Sequence, residues 1–208
     1  MDPSCVRSRS ASATLTGAGQ DAPCLNSHAA DRVQDVGMDP GSLLMLTGAP
    51  GAGKTAVAPG LRAALPGIVV LDLDEFLDAG GRLAGLDLRQ EAAADRWPAY
   101  NDLCLTFIAT VLATGHDVLL LSPLTPQEVR RSTAAPDLGD IRWAVLDCSD
   151  AHRLGRLRAR RATHDTTGAL ADAAELRGIG HPIIRNDDIT IDAAVDLIAR
   201  WARAVPSA

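Results

Sequence analysis

From Ser42 onward the chain alternates short apolar runs with longer stretches of helical periodicity, the arrangement that parallel βαβ construction produces. Five runs read as strands: Leu43 to Thr47, Ile68 to Asp72, Asp117 to Ser122, Ile141 to Asp147 and Pro182 to Arg185. The first four are continuously apolar, as strands buried on both faces are. Between the second and third, Pro98 to Thr114 carries Leu103, Phe107 and Val111, with Cys104, Ile108 and Leu112, at helical spacing, and this helix is expected to pack on the sheet. Thr125-Pro126-Gln127-Glu128 has the form of a capping box with proline at the first helical position. Ser149 is placed to cap a helix carrying His152 to Arg160. A last helix begins near Thr190 and is expected to bury Ile191, Val195, Ile198, Trp201 and Ala202. Pro59-Gly60 falls inside the helix that follows the first strand, where a kink is expected.

The junction of the first strand and its helix carries the strongest chemical signal. Gly48-Ala49-Pro50-Gly51-Ala52-Gly53-Lys54-Thr55 fits the phosphate-binding pattern G-x-x-x-x-G-K-[ST] in the strand-to-helix context that the pattern requires. Its glycines let backbone N–H groups converge on phosphate oxygens, the helix N-terminus adds partial positive charge, and Thr55 offers a hydroxyl to Mg²⁺. Lys54 is the only lysine in the chain; every other basic side chain is arginine. A lysine ammonium is a compact point charge that reaches between β- and γ-phosphates, whereas a guanidinium is a planar fork.

The second strand ends in Asp72-Leu73-Asp74-Glu75. If the strand continues, alternation points Asp72 and Asp74 the same way, toward the edge where α/β sheets bind ligands. Phosphoryl transfer uses such a pair, one acid for the metal and one for the acceptor hydroxyl proton. The alternative is that Asp74 caps a short helix beginning at Glu75. Arg153, Arg156 and Arg160 share one helical face, either to meet phosphate or as an ordinary solvated basic face.

Composition narrows the picture. A length of 208 residues suits one compact domain, assigned to residues 41–208. Residues 1–40 are rich in Ser, Ala, Gly, Asp and Pro without periodicity and read as a disordered extension. An alternative start of translation at Met38 makes residues 1–37 an artefact of start-site choice. A net charge of −6 with dispersed arginines argues against nucleic acid as partner. The four cysteines form no C-x-x-C pair or metal spacing, which fits a reduced, cytoplasmic setting. No apolar run reaches the roughly 18 residues of a membrane span, so no membrane partner is expected.

With its phosphate loop, a next strand ending in Asp-x-Asp, and a later arginine-rich helix, the chain resembles the small P-loop kinases: shikimate and gluconate kinases, nucleotide monophosphate kinases and chloramphenicol phosphotransferase. The resemblance spans residues 42–204 and implies an α/β three-layer P-loop NTPase sandwich whose five-stranded parallel sheet has the order 2-3-1-4-5. It implies ATP and Mg²⁺ as cofactors, with Gly48, Ala49, Pro50, Gly51, Ala52, Gly53, Lys54 and Thr55 holding phosphate, Thr55 and Asp72 the metal, and Asp74 the acceptor. It further implies Arg156 and Asn186 beside adenine and Arg160 on a short lid, roughly Ala162 to Ala169, in which Thr166-Thr167-Gly168 suits a mobile turn. Lys54, Asp74 and Arg160 are then the catalytic candidates. A simple turn accounts for Asn186-Asp187 nearly as well.

The resemblance also implies that the acceptor side lies in residues 76–101, where Arg82, Arg89 and Arg96 suit anion clamps, while Trp97 and Tyr100 fit packing better than recognition. Ser122-Pro123-Leu124 replaces the acidic Asp-Gly that nucleotide monophosphate kinases share at this point, which disfavours that acceptor. The single lysine also excludes the Asn-Lys-x-Asp or Thr-Lys-x-Asp segment with which GTPases read guanine. The expected activity is transfer of the γ-phosphoryl group of ATP to a hydroxyl of a small molecule, by a monomer or homodimer. The alternatives are a nucleotide or nucleotide-sugar kinase, and an ATP-binding regulator or ATPase that is not a kinase.

Overall fold

The computed structural model describes residues 39–77, 82–83, 86–87, 96–159 and 165–204. Its main sheet is built from β1 (Leu43–Thr47), β2 (Val69–Asp72), β5 (Val118–Ser122), β6 (Ile141–Asp147) and β7 (Ile183–Arg185). All neighbours run parallel in the order β2-β5-β1-β6-β7, which is 2-3-1-4-5 when only this sheet is counted. Between β2 and β5 the pattern missed a two-residue-per-strand antiparallel hairpin, β3 (Arg82–Leu83) with β4 (Leu86–Asp87), too short for any periodicity to register.

Helices cover both faces of the sheet. Alternation along β1 sends Leu44 and Leu46 toward α1 (Lys54–Ala64) and α6 (Ile191–Arg203), where they meet Leu61, Val195 and Ile198. Leu43 and Met45 face the opposite way, into α2 (Trp97–Ala113), against Leu105, Ile108 and Leu112. The capping box forms as expected: the Thr125 side chain accepts from Glu128 N and the Glu128 carboxylate accepts from Thr125 N, opening α3 (Pro126–Arg131). The Thr190 side chain likewise accepts from Ala193 N to cap α6. The remaining helices are α4 (Asp150–Ala159) and α5 (Thr166–Gly178); α5 closes a smaller core of Ala49, Val145, Ala173 and Leu176 beside the phosphate loop.

Two expectations of side-chain placement change. On α2 the buried stripe is Tyr100, Cys104, Leu105, Ile108 and Leu112, while Leu103 and Phe107 are exposed. Neighbouring helical positions differ by about 100°, so the 103/107 row and the 104/108 row cannot both face the sheet. Ile191 also stays exposed at the start of α6. Pro59 lies inside α1, and the adjoining Gly60 lets α6 approach: a Cβ there would lie 2.7 Å from Val195 Cγ2.

The same close-approach logic fixes the loop between β1 and α1. A Cβ on Gly48 would lie 2.6 Å from the Leu146 carbonyl oxygen, which is backbone of the adjacent strand and cannot swing aside. Gly48→Ala is expected to destabilise the protein by about 1–3 kcal/mol through overpacking and to weaken nucleotide binding; thermal unfolding and titration calorimetry check both.

Candidate functional site

The phosphate loop spans Gly48 to Thr55 at the C-terminal end of β1. Gly51 and Gly53 adopt positive φ (80° and 104°), the left-handed backbone that glycine tolerates at no steric cost. The Lys54 ammonium is buried and donates to the Gly48 carbonyl, so it lies folded over the loop's own entrance. Thr55 is exposed at the start of α1.

Beside this loop, β2 delivers its acids differently from the alternation argument. The strand stops at Asp72, whose side chain caps the 3-10 turn Leu73–Phe76 by accepting from Asp74 N at 3.1 Å. Asp72 is therefore the cap and is buried, while Asp74 sits in the turn, exposed to the solvent front of the site. The turn is pinned from behind by Tyr100, whose hydroxyl donates to the Leu73 carbonyl at 2.6 Å. Burial pushes the Tyr100 phenol far above its ordinary range, with Cys104 and the Asp74 and Asp72 charges adding to the effect. Tyr100 is thus a neutral donor at every physiological pH, and its edge contact with half-buried Trp97 makes both rings packing elements.

Burial raises the Asp72 pKa, and the Asp74 charge adds to it; the Thr55 hydroxyl, the Asp74 N–H and Lys54 pull the other way without cancelling it. Asp72 Oδ2 is buried with no hydrogen-bond partner among the described residues. An unpartnered carboxylate oxygen, with the Thr55 hydroxyl drawn toward the same carboxyl, is the hard oxygen donor set that Mg²⁺ prefers. A carboxyl that binds its proton more tightly folded than unfolded makes stability fall as pH rises from the usual carboxylate range through the raised value. Asp72→Asn, which keeps the cap acceptor, is therefore expected to raise the unfolding temperature of nucleotide-free protein at pH 7. The gain should vanish below the usual carboxylate range, where both states are protonated; thermal melts against pH measure it.

On the opposite side of the loop, Arg156 of α4 donates from Nη1 to the Ala52 carbonyl (3.1 Å) and to Asn186 Oδ1 (3.1 Å), and from Nη2 to the Asn186 carbonyl (2.9 Å). Buried Asn186 in turn donates from Nδ2 to the Ala52 carbonyl at 2.7 Å. These two residues floor a cavity of about 330 Å³ that is also lined by Gly53, Val57, Ile189 and Ile191. The exposed Ile191 thus has a use: it forms part of an apolar wall.

A family model described as an AAA domain matches residues 43–177, which contain the loop, Asp72 and Asp74, and the arginine helix. The chain belongs to the AAA domain family. Among solved structures, this AAA domain protein is similar to a sugar kinase from Janibacter sp. HTCC2649, at 18% identity over 80% of this chain and 97% of that one, with a TM-score of 0.56. A shikimate kinase from Acinetobacter baumannii, solved with shikimate, is similar at 14% identity over 82% and 97% of the two chains, TM-score 0.57. The tunicamycin resistance protein of Deinococcus radiodurans is similar at 20% identity over 77% and 95%, TM-score 0.55. The fold is that of the small P-loop kinases. No curated protein matches the sequence.

Within the AAA domain chain, the structure brings together the loop residues Gly48 to Thr55, Asp72, Asp74, Arg156 and Asn186. Arg160 and Arg89 lie outside the described residues, as do residues 1–38 and 160–164. Thr166-Thr167-Gly168, read as a mobile turn, is instead the first turn of α5, capped by the Asp165 side chain accepting from Thr167 N. Arg153 and Arg156 do not form a solvated basic face: Arg153 is wholly buried and Arg156 is turned onto the loop. Sequence reasoning missed the reason, Asp147 at the end of β6, a buried acid that accepts from Arg153 Nη2 (2.6 Å) and Arg177 Nε (2.7 Å) and pairs with Arg185 (3.2 Å). An aspartate closing an apolar strand, as Asp72 also does, was the available signal. No helix among the described residues is long and apolar enough to cross a membrane.

Proposed function

We propose that this protein is an ATP- and Mg²⁺-dependent phosphotransferase that moves the γ-phosphoryl group to a hydroxyl of a small molecule. The observation that carries this reading is the placement of two unlike surfaces on either side of one phosphate loop. One is a cavity with an apolar wall and the amide of Asn186, suited to a purine base; the other is the Asp72–Asp74 turn, which offers carboxylates.

In this reading the triphosphate rests on the loop N–H groups and the α1 N-terminus, with Lys54 exchanging its Gly48 carbonyl for phosphate oxygen. Asp74 takes the proton of the acceptor hydroxyl as that oxygen bonds to the γ-phosphorus and the bond to the β,γ-bridging oxygen breaks, releasing ADP. Asp72 and Thr55 would hold Mg²⁺, which when bound neutralises charge on the β- and γ-phosphates. Tyr100 keeps the two acids in register through Leu73. A sugar kinase and a shikimate kinase among the similar structures support a small-molecule acceptor.

Release of ADP from Mg-ATP, measured with and without a pooled metabolite extract, tests the reading. Acceptor-dependent stimulation is expected. Equal release in both conditions contradicts it and favours a simple ATPase.

A further inference from the structure

We infer that Arg153, held by Asp147, is a positioning residue for the phosphate loop: it binds the loop's outer carbonyl so that the adjoining N–H faces the phosphate. The inference deepens the phosphotransferase reading above and rests on it.

Arg153 is a fully buried guanidinium, which a protein tolerates only when the charge is well paired. Its two terminal nitrogens do separate jobs. Nη2 donates to Asp147 Oδ1 at 2.6 Å, while Nη1 reaches away from that pair to the Pro50 carbonyl at 2.8 Å. One helical turn on, Arg156 Nη1 does the same to the Ala52 carbonyl at 3.1 Å, joined there by Asn186. In a trans peptide, C=O and the following N–H point in opposite directions. Drawing the Pro50 and Ala52 carbonyls toward α4 therefore turns the N–H groups of Gly51 and Gly53 away from it, toward the loop's interior. An anion nest is lined by successive backbone N–H groups, and the Gly51 carbonyl between those of Pro50 and Ala52 is held outward as well, accepting from Arg156 Nη1 at 3.4 Å. The contact is tight: a Cβ on Gly51 would lie 3.1 Å from both Arg153 Cγ and Leu157 Cγ, and these side chains would have to give by a few tenths of an ångström.

A residue serving only to bracket α4 against β6 needs the Asp147 bond and not the Pro50 bond. Asp147 retains Arg177 and Arg185 if Arg153 is removed, so the neutral variant does not strand a buried carboxylate.

The test uses the full chain with inorganic tripolyphosphate as the probe, followed by calorimetry and by amide NMR. In the wild type, the Gly51 and Gly53 amides are expected to shift on saturation. Arg153→Met is expected to keep its unfolding transition while its dissociation constant for tripolyphosphate rises about 10- to 100-fold, the scale of a small misplacement of binding groups. Arg153→Lys keeps a charge beside Asp147 but supplies one nitrogen where arginine supplies two, so it serves if the methionine variant does not fold, and weaker binding is again expected. Wild-type affinity in either folded variant overturns the inference. So do wild-type Gly51 and Gly53 amides that stay unmoved at saturation, whatever the variants do. None of these readouts needs an acceptor, so failure of phosphoryl transfer with intact amide shifts would sink the kinase reading alone.

Discussion

Replacing Lys54 with alanine is expected to lower ATP-dependent phosphoryl transfer by about 10²- to 10³-fold, the scale for deleting one preorganised charge at the reacting group. The chain has no second ammonium with which to compensate, since its other basic side chains are all arginine. Two of the arginines nearest the loop are already engaged with its outer carbonyls and face away from the nest. Lys54→Arg should not rescue, because a planar guanidinium fork does not reproduce the compact point charge that the ammonium places against the loop. Initial rates of ADP release with acceptor present measure the effect. A lysine variant retaining most of the wild-type rate would show that charge at this position is not used.

Asp74→Asn carries the second large effect, a fall in kcat of about 10²- to 10⁴-fold, the range for loss of a general base. Nucleotide affinity should change little, because Asp74 is exposed in its turn and the loop and the base cavity are built from other residues. The amide is isosteric and leaves the Asp74 N–H bond to Asp72 intact, so the turn survives. This split between turnover and binding distinguishes a proton acceptor from a turn-stabilising side chain. Turnover that survived the substitution would reassign the base.

The strands, the capping box and the phosphate loop were legible because each is a local pattern: an apolar run, a four-residue reciprocity, a glycine spacing. The sheet order came from resemblance and agrees with the structure. What local pattern could not supply was where a strand stops. Asp72 and Asp74 are two apart, but alternation lapses once Asp72 turns back to cap the 3-10 turn Leu73–Phe76, so one acid is buried and the other exposed. The arginine helix shows the same limit over longer range. Whether Arg153 is solvated or buried depends on Asp147, six residues earlier in sequence but on a strand, and on Arg177 and Arg185 converging on the same carboxylate. Tyr100, read as packing, does pack, yet its hydroxyl also fixes the acidic turn.

The central claim is that a phosphoryl group leaves ATP for a hydroxyl of a small molecule and not for water. Phosphorus NMR of Mg-ATP incubated with the full chain and a pooled metabolite extract tests it directly. The account predicts a new phosphoester resonance that grows as ADP appears and is absent with the Asp74→Asn variant. Growth of inorganic phosphate alone, in step with ADP, would contradict it.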